Sequence, residues 1–187
     1  MRSPVDPKAT LQRTEIRPGL TAFVCPSSEG CWIEGETYWN WLRAQPEFPA
    51  LSAASDGPPA ELDTDSDRAL LSPRTGRLMR RFRVGAGLGF HVDYDSLTPG
   101  FWLDAGEYHA LEERSLHDEL HLICTAAYQK TLREAERDGR LRDRQRARLG
   151  DADWSKLEET AAWLRSLQEP RVALAILREL AGESDEG

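Results

Sequence analysis

The stretch VDYDSLTPGFWLDAGEY, from Val92 to Tyr108, holds the features that decide how this chain folds. A β-prone run leads into a turn that ends at Gly100, and Trp102 then precedes an acidic helix start at Asp104. Proline and glycine favour the turn, and acidic residues favour the first turn of a helix. The stretch therefore predicts a strand, a turn and the beginning of a helix, with no cysteine among them.

The part of this stretch that begins at Asp95, DSLTPGFWLDAGEY, has a related pattern 70 positions earlier. There CPSSEGCWIEGETY begins at Cys25. In addition, SPVD at Ser3 and SPRT at Ser72 each precede a short strand-like run. Similarity at a fixed shift indicates two copies of one small supersecondary unit. The matched pairs are Gly30 with Gly100, Trp32 with Trp102, Ile33 with Leu103, Glu34 with Asp104 and Tyr38 with Tyr108.

The segments around the second copy have distinct compositions. AQPEFPALSAASDGPPAELDTDSD is rich in Pro, Ala, Ser and Asp, which predicts a linker or an exposed loop. It is followed by RLMRRFRV and GFHVDY, two β-prone runs that flank Gly85, Gly87 and Gly89. This arrangement predicts a hairpin with a glycine-rich tip.

The rest of the chain shows helical periodicity. Apolar residues recur on one stripe between Ala105 and about Asp138, and Ser115 can cap a second helix within this stretch. Gly139 and Gly150 are the expected breaks, and a further helix begins near Asp153. Pro170 ends it, and VALAILREL supplies a last short helix.

These elements predict an α+β protein with two small β-hairpin units followed by a helical C-terminal region. The expected organisation is a first unit over 1–42, a linker or exposed loop over 43–69, a second unit over 70–112, a helical region over 113–182 and a disordered tail over 183–187.

The bulk composition excludes several classes of protein. A formal net charge of −8 disfavours non-specific binding to nucleic acid or anionic membrane over the whole molecule. No apolar run approaches the roughly 20 residues that span a bilayer, and the N-terminus lacks an apolar signal core. Three cysteines do not form a secreted disulfide framework. A soluble, cytoplasmic protein is expected.

The second copy resembles the bacterial transcription-factor-IIB-type zinc-ribbon proteins, whose second knuckle reads V-D-x-C-P-x-C-G-G-x-W-L-D-x-G-E. The four positions that hold cysteine in that family carry other residues here. The frame residues are Val92, Asp93, Gly100, Trp102, Leu103, Asp104, Gly106 and Glu107, and the degenerate ligand positions are Ser72, Thr75, Asp95 and Thr98. Hydroxyls are feeble zinc ligands, so we expect a zinc-ribbon frame without metal or other cofactor.

Aromatic residues surround this frame and offer another source of stability. A structural zinc contributes on the order of 10 kcal/mol to folding, so its loss needs compensation. Each buried aromatic side chain contributes roughly 1.5–3 kcal/mol. We therefore expect burial of Phe82, Phe90, Phe101, Trp102 and Tyr108.

Two groups of candidate metal ligands lie outside the frame. Cys25 keeps a ligand position in the first copy, with Ser28 at the second and Cys31 next to Trp32. Further along the chain, His117, His121, Cys124 and Tyr128 recur at helical spacing. Either group could contribute to a metal site, or it could pack within the core; the sequence leaves both open. The glutamate of HDELH is displaced from its position in the zincin motif, which excludes that class of protease.

The remaining signals concern partners. Trp39 and Trp41 lie two apart, so they point to different sides of a helix and one is available as an anchor, unless both pack inside. Arginines crowd the first hairpin strand and the end of the long helix. We interpret the chain as a non-enzymatic adaptor or regulatory protein that binds a protein partner, with no small-molecule substrate. Nucleic-acid binding through the arginines is the alternative. The candidate partner-binding residues are Trp39, Trp41, Arg77, Arg80, Arg81 and Arg83.

Overall fold

The structure is a computed structural model that describes residues 1–45, 62, 65–85 and 88–182. The predicted linker 43–69 lies mostly outside the described residues, and the predicted tail 183–187 lies wholly outside them. The chain divides into two compact units, Met1–Arg133 and Glu134–Gly187. Both predicted ribbon-like units belong to the first compact unit, and the predicted helical region 113–182 is shared between the two.

The first compact unit is built on one antiparallel sheet. Its six strands are β1 (Gln12–Arg17), β2 (Leu20–Val24), β3 (Cys31–Glu34), β4 (Arg80–Gly85), β5 (Leu88–Asp95) and β6 (Gly100–Leu103). They lie in the order β1-β2-β3-β6-β5-β4. The predicted second hairpin is confirmed as β4 and β5, and each half of the chain adds a third strand to its hairpin.

The strands β3 and β6 join the two halves at the centre of the sheet. They run antiparallel, with Trp32 opposite Trp102. Because a shift of 70 residues also aligns these tryptophans in sequence, this register relates the halves by an approximate two-fold axis between the two rings. The two predicted units are therefore not separate hairpins, because they share a single sheet.

Six helices lie in the described part of the chain. They are α1 (Gly35–Arg43), α2 (Glu107–Glu113), α3 (Leu120–Ile123), α4 (Ala126–Leu149), α5 (Asp151–Ser166) and α6 (Pro170–Leu180). The predicted α+β class with a helical C-terminal region is confirmed. None of the described helices is both long enough and apolar enough to cross a membrane.

The helix boundaries decide one open alternative and correct one prediction. The stretch from Ala105 is divided at Ser115, the position that was expected to cap a second helix, and Ser115 adopts a left-handed conformation (φ 55°) between α2 and α3. Gly139 does not break α4, whereas Gly150 (φ 82°) separates α4 from α5 as predicted. A single glycine costs an exposed helix only about 1 kcal/mol, which the neighbouring helix-forming residues outweigh.

The two faces of the sheet carry cores of different size. On one face, Phe82, Phe90 and Phe101 belong to a large cluster that also includes Leu42 of α1 and Leu120 of α3. On the other face lies a smaller cluster of Leu11, Cys25, Trp32, Leu70, Met79 and Trp102.

The predicted burial of aromatic rings is confirmed for four of the five residues. Phe82, Phe90, Phe101 and Trp102 are buried, while Tyr108 is half-buried against the large cluster. Together the rings pack on both faces of the second half of the sheet, so they contribute several kcal/mol to its stability.

Candidate functional site

The four degenerate ligand positions of the second half converge on one carboxylate. Thr75 Oγ1 donates a hydrogen bond to Asp95 Oδ2 over 2.8 Å, and Thr98 Oγ1 donates to the same oxygen over 3.2 Å. Ser72 also hydrogen-bonds to Asp95. Two turns that are about twenty residues apart in sequence are thereby joined through the Asp95 side chain.

Backbone groups complete this cluster. The N–H groups of Arg74 and Thr75 donate to Ser72 Oγ over 3.1 and 3.2 Å. The N–H of Leu97 donates to Asp95 Oδ1 over 2.8 Å. Burial opposes ionisation of Asp95, but the hydrogen bonds from hydroxyl and backbone donors outweigh it and lower the pKa of this carboxyl group. The cluster is therefore a satisfied, charged cross-link with one carboxylate and three hydroxyls.

The equivalent turn in the first half contains a thiol. Cys25 is fully buried and hydrogen-bonds to Ser27, over 3.3 Å between Sγ and Oγ. Burial alone would raise the pKa of the thiol, but the polar groups of the neighbouring serines Ser27, Ser28 and Ser3 outweigh it and lower the pKa to about 7. Cys31 lies in the large core on the opposite sheet face, so the two predicted thiols do not form a common site.

Two tryptophans and two glycines pack against each other where the halves of the sheet meet. A methyl group on Gly30 would overlap the ring of Trp102, and one on Gly100 would overlap the ring of Trp32. Only glycine leaves room for each ring to cross the other half. Trp102 Nε1 donates to Asp104 Oδ1 over 2.8 Å, whereas Trp32 Nε1 has no hydrogen-bond partner among the residues that the structure describes.

The two candidate anchor tryptophans lie on different sides of α1. Trp39 is 36% exposed and its ring lies 4.6 Å from that of His121, centroid to centroid. Trp41 is 5% exposed and packs in the large core. This corrects the assignment of Trp41 as a partner-binding residue, because its ring is not accessible, and leaves Trp39 as the accessible member of the pair.

The arginines of the first hairpin strand are not equivalent. Arg81 is held inside the fold, 2.6 Å from Asp65 and 3.6 Å from Asp93. Arg80 lies over the ring of Phe82, with 5.2 Å from its guanidinium carbon to the ring centroid. Arg77 and Arg83 are exposed. Arg81 is therefore a structural residue, which corrects its assignment as a partner contact, and the other three remain accessible.

The predicted histidine and cysteine stripe is split among separate contacts. His117 Nε2 contacts Arg17, and His121 Nδ1 lies 3.2 Å from the Tyr38 hydroxyl. Tyr128 donates its hydroxyl hydrogen to the carbonyl of Val84. The ligand atoms of His117, His121 and Cys124 do not form a group of three that all lie within 4.8 Å of one another. The stripe therefore packs against α1 and β4, because its residues come from a turn, α3 and α4 rather than from one helix.

The helices of the second compact unit present apolar side chains to solvent. None of the residues that form α4, α5 and α6 is buried. On α6, Val172, Ile176 and Leu180 recur every fourth residue and are 50%, 51% and 82% exposed. Other exposed apolar residues in this unit are Leu141, Leu149, Leu157, Trp163 and Leu174. Sequence reasoning predicted these helices but missed their exposure, although the apolar stripe of VALAILREL is a readable signal for it.

No known protein family, curated protein or solved structure matches the chain. Functional inference therefore rests on the geometry of the chain itself.

Proposed function

We propose that this chain is a non-enzymatic adaptor or regulatory protein that binds another protein through its C-terminal helices. The observation that carries the proposal is the exposed apolar surface of α5 and α6, defined by Leu157, Trp163, Val172, Ile176 and Leu180. Several large apolar side chains exposed on neighbouring helices are typical of a protein-binding region. Covering it with a partner removes it from water, at roughly 25 cal/mol per Å² of apolar area.

The surroundings of the candidate catalytic groups support the non-enzymatic part of the proposal. Asp95 is buried among hydrogen-bond donors, and His117 and His121 contact Arg17 and Tyr38 inside the fold. These contacts occupy the side chains that a reaction would need. A cytoplasmic location belongs to the same proposal, supported by three cysteines that are free thiols.

In this proposal the second half of the sheet is a zinc-ribbon-like frame in which hydrogen bonds replace metal coordination. The support is that Ser72, Thr75, Asp95 and Thr98 match the four ligand positions of the family pattern and also meet in space. In this role the sheet is a stable platform, and the helices carry the binding surface.

Helix α4 favours nucleic-acid binding as a second candidate function. Its C-terminal part exposes basic side chains along the helix, including Arg140, Arg144 and Arg148. Acidic neighbours such as Asp143 weaken the local potential. Binding to DNA or RNA would fall steeply with salt, and replacing those three arginines by glutamine would reduce the dependence of log K on log salt concentration.

The test of the main proposal compares two triple variants of the full chain. One replaces Val172, Ile176 and Leu180 with serine; the matched control replaces the exposed Leu71, Leu78 and Leu97 of the sheet unit with serine. A photoreactive residue at position 163 first identifies the partner in the native host. Light scattering on the purified chain distinguishes a second copy from a different protein.

The affinity for the purified partner is then measured by calorimetry. The α6 variant is expected to bind about tenfold more weakly or worse, since each lost apolar contact removes roughly 0.8 kcal/mol per buried methylene. The control variant is expected to bind like the unmodified chain. Equal binding by the α6 variant, or a strictly monomeric chain whose position 163 cross-links to no protein, would overturn the proposal.

A further inference from the structure

Four carboxylates lie close together at the end of β6, beside the corner that Trp102, Leu103 and Asp104 form. Asp65 precedes β4, Asp93 lies on β5, and Asp104 and Glu107 flank the start of α2. One carboxylate oxygen from each of Asp65, Asp104 and Glu107 lies within 4.8 Å of the others. This acidic cluster is separate from the hydroxyl cluster around Asp95, and sequence reasoning did not identify it.

Two of these carboxylates have an oxygen that receives no hydrogen bond within the described residues. Glu107 is 1% exposed; its Oε2 accepts the N–H of Asp104 over 2.7 Å, while Oε1 has no hydrogen-bond partner among the described residues. Asp93 is also 1% exposed, and its Oδ1 likewise lacks a hydrogen bond within the described part of the chain. A buried carboxylate oxygen without a donor is costly, so an unpaired one that faces other carboxylates requires either a proton or a bound cation.

The positive groups of the fold do not balance the cluster. Arg81 lies 2.6 Å from Asp65 Oδ1 and 3.6 Å from Asp93 Oδ1. His91 Nδ1 lies 2.9 Å from Asp65 Oδ2. Four carboxylates thus face one guanidinium and one imidazole. Burial is the main cause that raises the pKa of Glu107 to about 9 and that of Asp93 to about 7, and repulsion from neighbouring carboxylates adds to it.

We propose that Asp65, Asp104 and Glu107 bind a hard divalent cation of the Mg²⁺ or Ca²⁺ class. Carboxylate oxygens are the ligands that these cations prefer. Asp104 accepts hydrogen bonds from Trp102 Nε1 and from the N–H of Ser66, which orient its carboxylate and leave further lone pairs on both oxygens. Glu107 contributes its unpaired Oε1, and Asp65, at 15% side-chain exposure, forms the side nearest solvent.

Binding would tie the segment that contains Asp65 to the beginning of α2. The ion would neutralise the repulsion among the carboxylates, and the N–H of Trp102 would act as the outer support of one ligand. The cation is thus expected to stabilise the sheet unit.

Luminescence of Tb³⁺, a probe for Ca²⁺ sites, tests the proposal directly. Because the Trp102 indole donates to the Asp104 carboxylate, an ion on that carboxylate lies close enough to be excited through the ring. The chelator-treated full chain is expected to give saturable sensitised emission that Ca²⁺ or Mg²⁺ displaces. The change Glu107→Gln is expected to weaken Tb³⁺ binding by about tenfold or more.

The matched control is Glu34→Gln, the position that corresponds to Asp104 in the first half of the chain. It makes the same chemical substitution outside the acidic cluster and is expected to leave the luminescence titration unaltered. Emission that no cation displaces, or a Glu107→Gln variant that binds Tb³⁺ like the unmodified chain, overturns the proposal.

Thermal unfolding provides a second readout. With Ca²⁺ or Mg²⁺ at about a hundredfold above Kd, Tm is expected to rise by about 5 °C or more. Glu107→Gln is expected to lose this rise, while Glu34→Gln keeps it. If circular dichroism shows that Glu107→Gln does not fold, Asp65→Asn takes its place with the same expectations. A chain whose Tm responds to neither cation contradicts the proposal.

Discussion

In the first half of the sheet the turn after β2 begins at Cys25, and in the second half the equivalent turn after β5 begins at Asp95. Both side chains are buried and both hydrogen-bond to serine or threonine hydroxyls. The carboxylate is charged at neutral pH, however, and the thiol, with a pKa near 7, is only partly so. Hydrogen bonds to a charged group are about twice as strong. The side-chain hydrogen bonds therefore stabilise the turn at Asp95 more than the equivalent turn at Cys25.

The two halves differ again at the central tryptophans. Trp102 has an acceptor in Asp104, whereas position 34, which corresponds to Asp104, holds a glutamate whose carboxylate lies 3.7 Å from Arg74. Trp32 consequently has an unbonded N–H among the described residues. The difference between Asp104 and Glu34 therefore decides whether the neighbouring tryptophan N–H is hydrogen-bonded.

The largest effect is expected where the halves meet. Gly100→Ala should lower the free energy of unfolding by about 3 kcal/mol, because the added methyl group overlaps the ring of Trp32 and the backbone there is paired on both sides. Gly30→Ala should show a loss of the same kind from overlap with Trp102. Denaturant titration measures both. The control Gly139→Ala lies in open space on α4 and should be neutral or stabilising; if Gly100→Ala is equally harmless, the close crossing of the halves is wrong.

Asp95→Asn is expected to cost about 2 kcal/mol at neutral pH, because it removes charge-assisted hydrogen bonds from two turns. Its pKa is lowered in the folded chain, so the stabilisation is complete above the ordinary pKa of about 4 and is lost as the pH falls through the folded value. Unfolding curves of the variant and the unmodified chain should therefore converge in acid. Cys25→Ser, the matched change in the first half, should cost less than Asp95→Asn. A larger loss for Cys25→Ser would reverse the ranking of the halves.

The smallest effect is expected from the indole N–H groups. Trp102→Phe and Trp32→Phe remove similar apolar volume, but Trp102→Phe also removes the indole donor from Oδ1 of the buried Asp104. It should be more destabilising than Trp32→Phe by about 1 kcal/mol, as measured by chemical denaturation. Equal losses would mean that the Trp102–Asp104 hydrogen bond contributes no net stability.

The repeat in sequence predicted the two halves, and the ligand pattern identified Asp95 and the three hydroxyl residues around it, although not the contacts among them. Both are local signals, read from turn residues and fixed spacing. The pairing of β3 with β6 was not readable, because β3 has four residues and its partner lies about 70 positions away. A short strand does not specify which edge it joins.

The acidic cluster was missed for a similar reason. Asp104 and Glu107 were noted only as parts of the W-L-D-x-G-E pattern, and Asp65 was assigned to a linker. Asp93 reaches them because its strand places it opposite Trp102. A helix boundary at Ser115 was predicted from its capping side chain, but its left-handed backbone was not, since that conformation is uncommon for a residue other than glycine.

The register of β3 against β6 has a consequence for the origin of the sheet. An antiparallel ladder centred on two equivalent tryptophans is the contact that two identical chains would make across an isologous interface. A single ancestral half would have left its third strand as an open edge, and pairing with its twin would have closed that edge with the same hydrogen bonds. Joining the two copies in one polypeptide would free each to diverge, and a thiol in one turn with a carboxylate in the other is a difference of that kind.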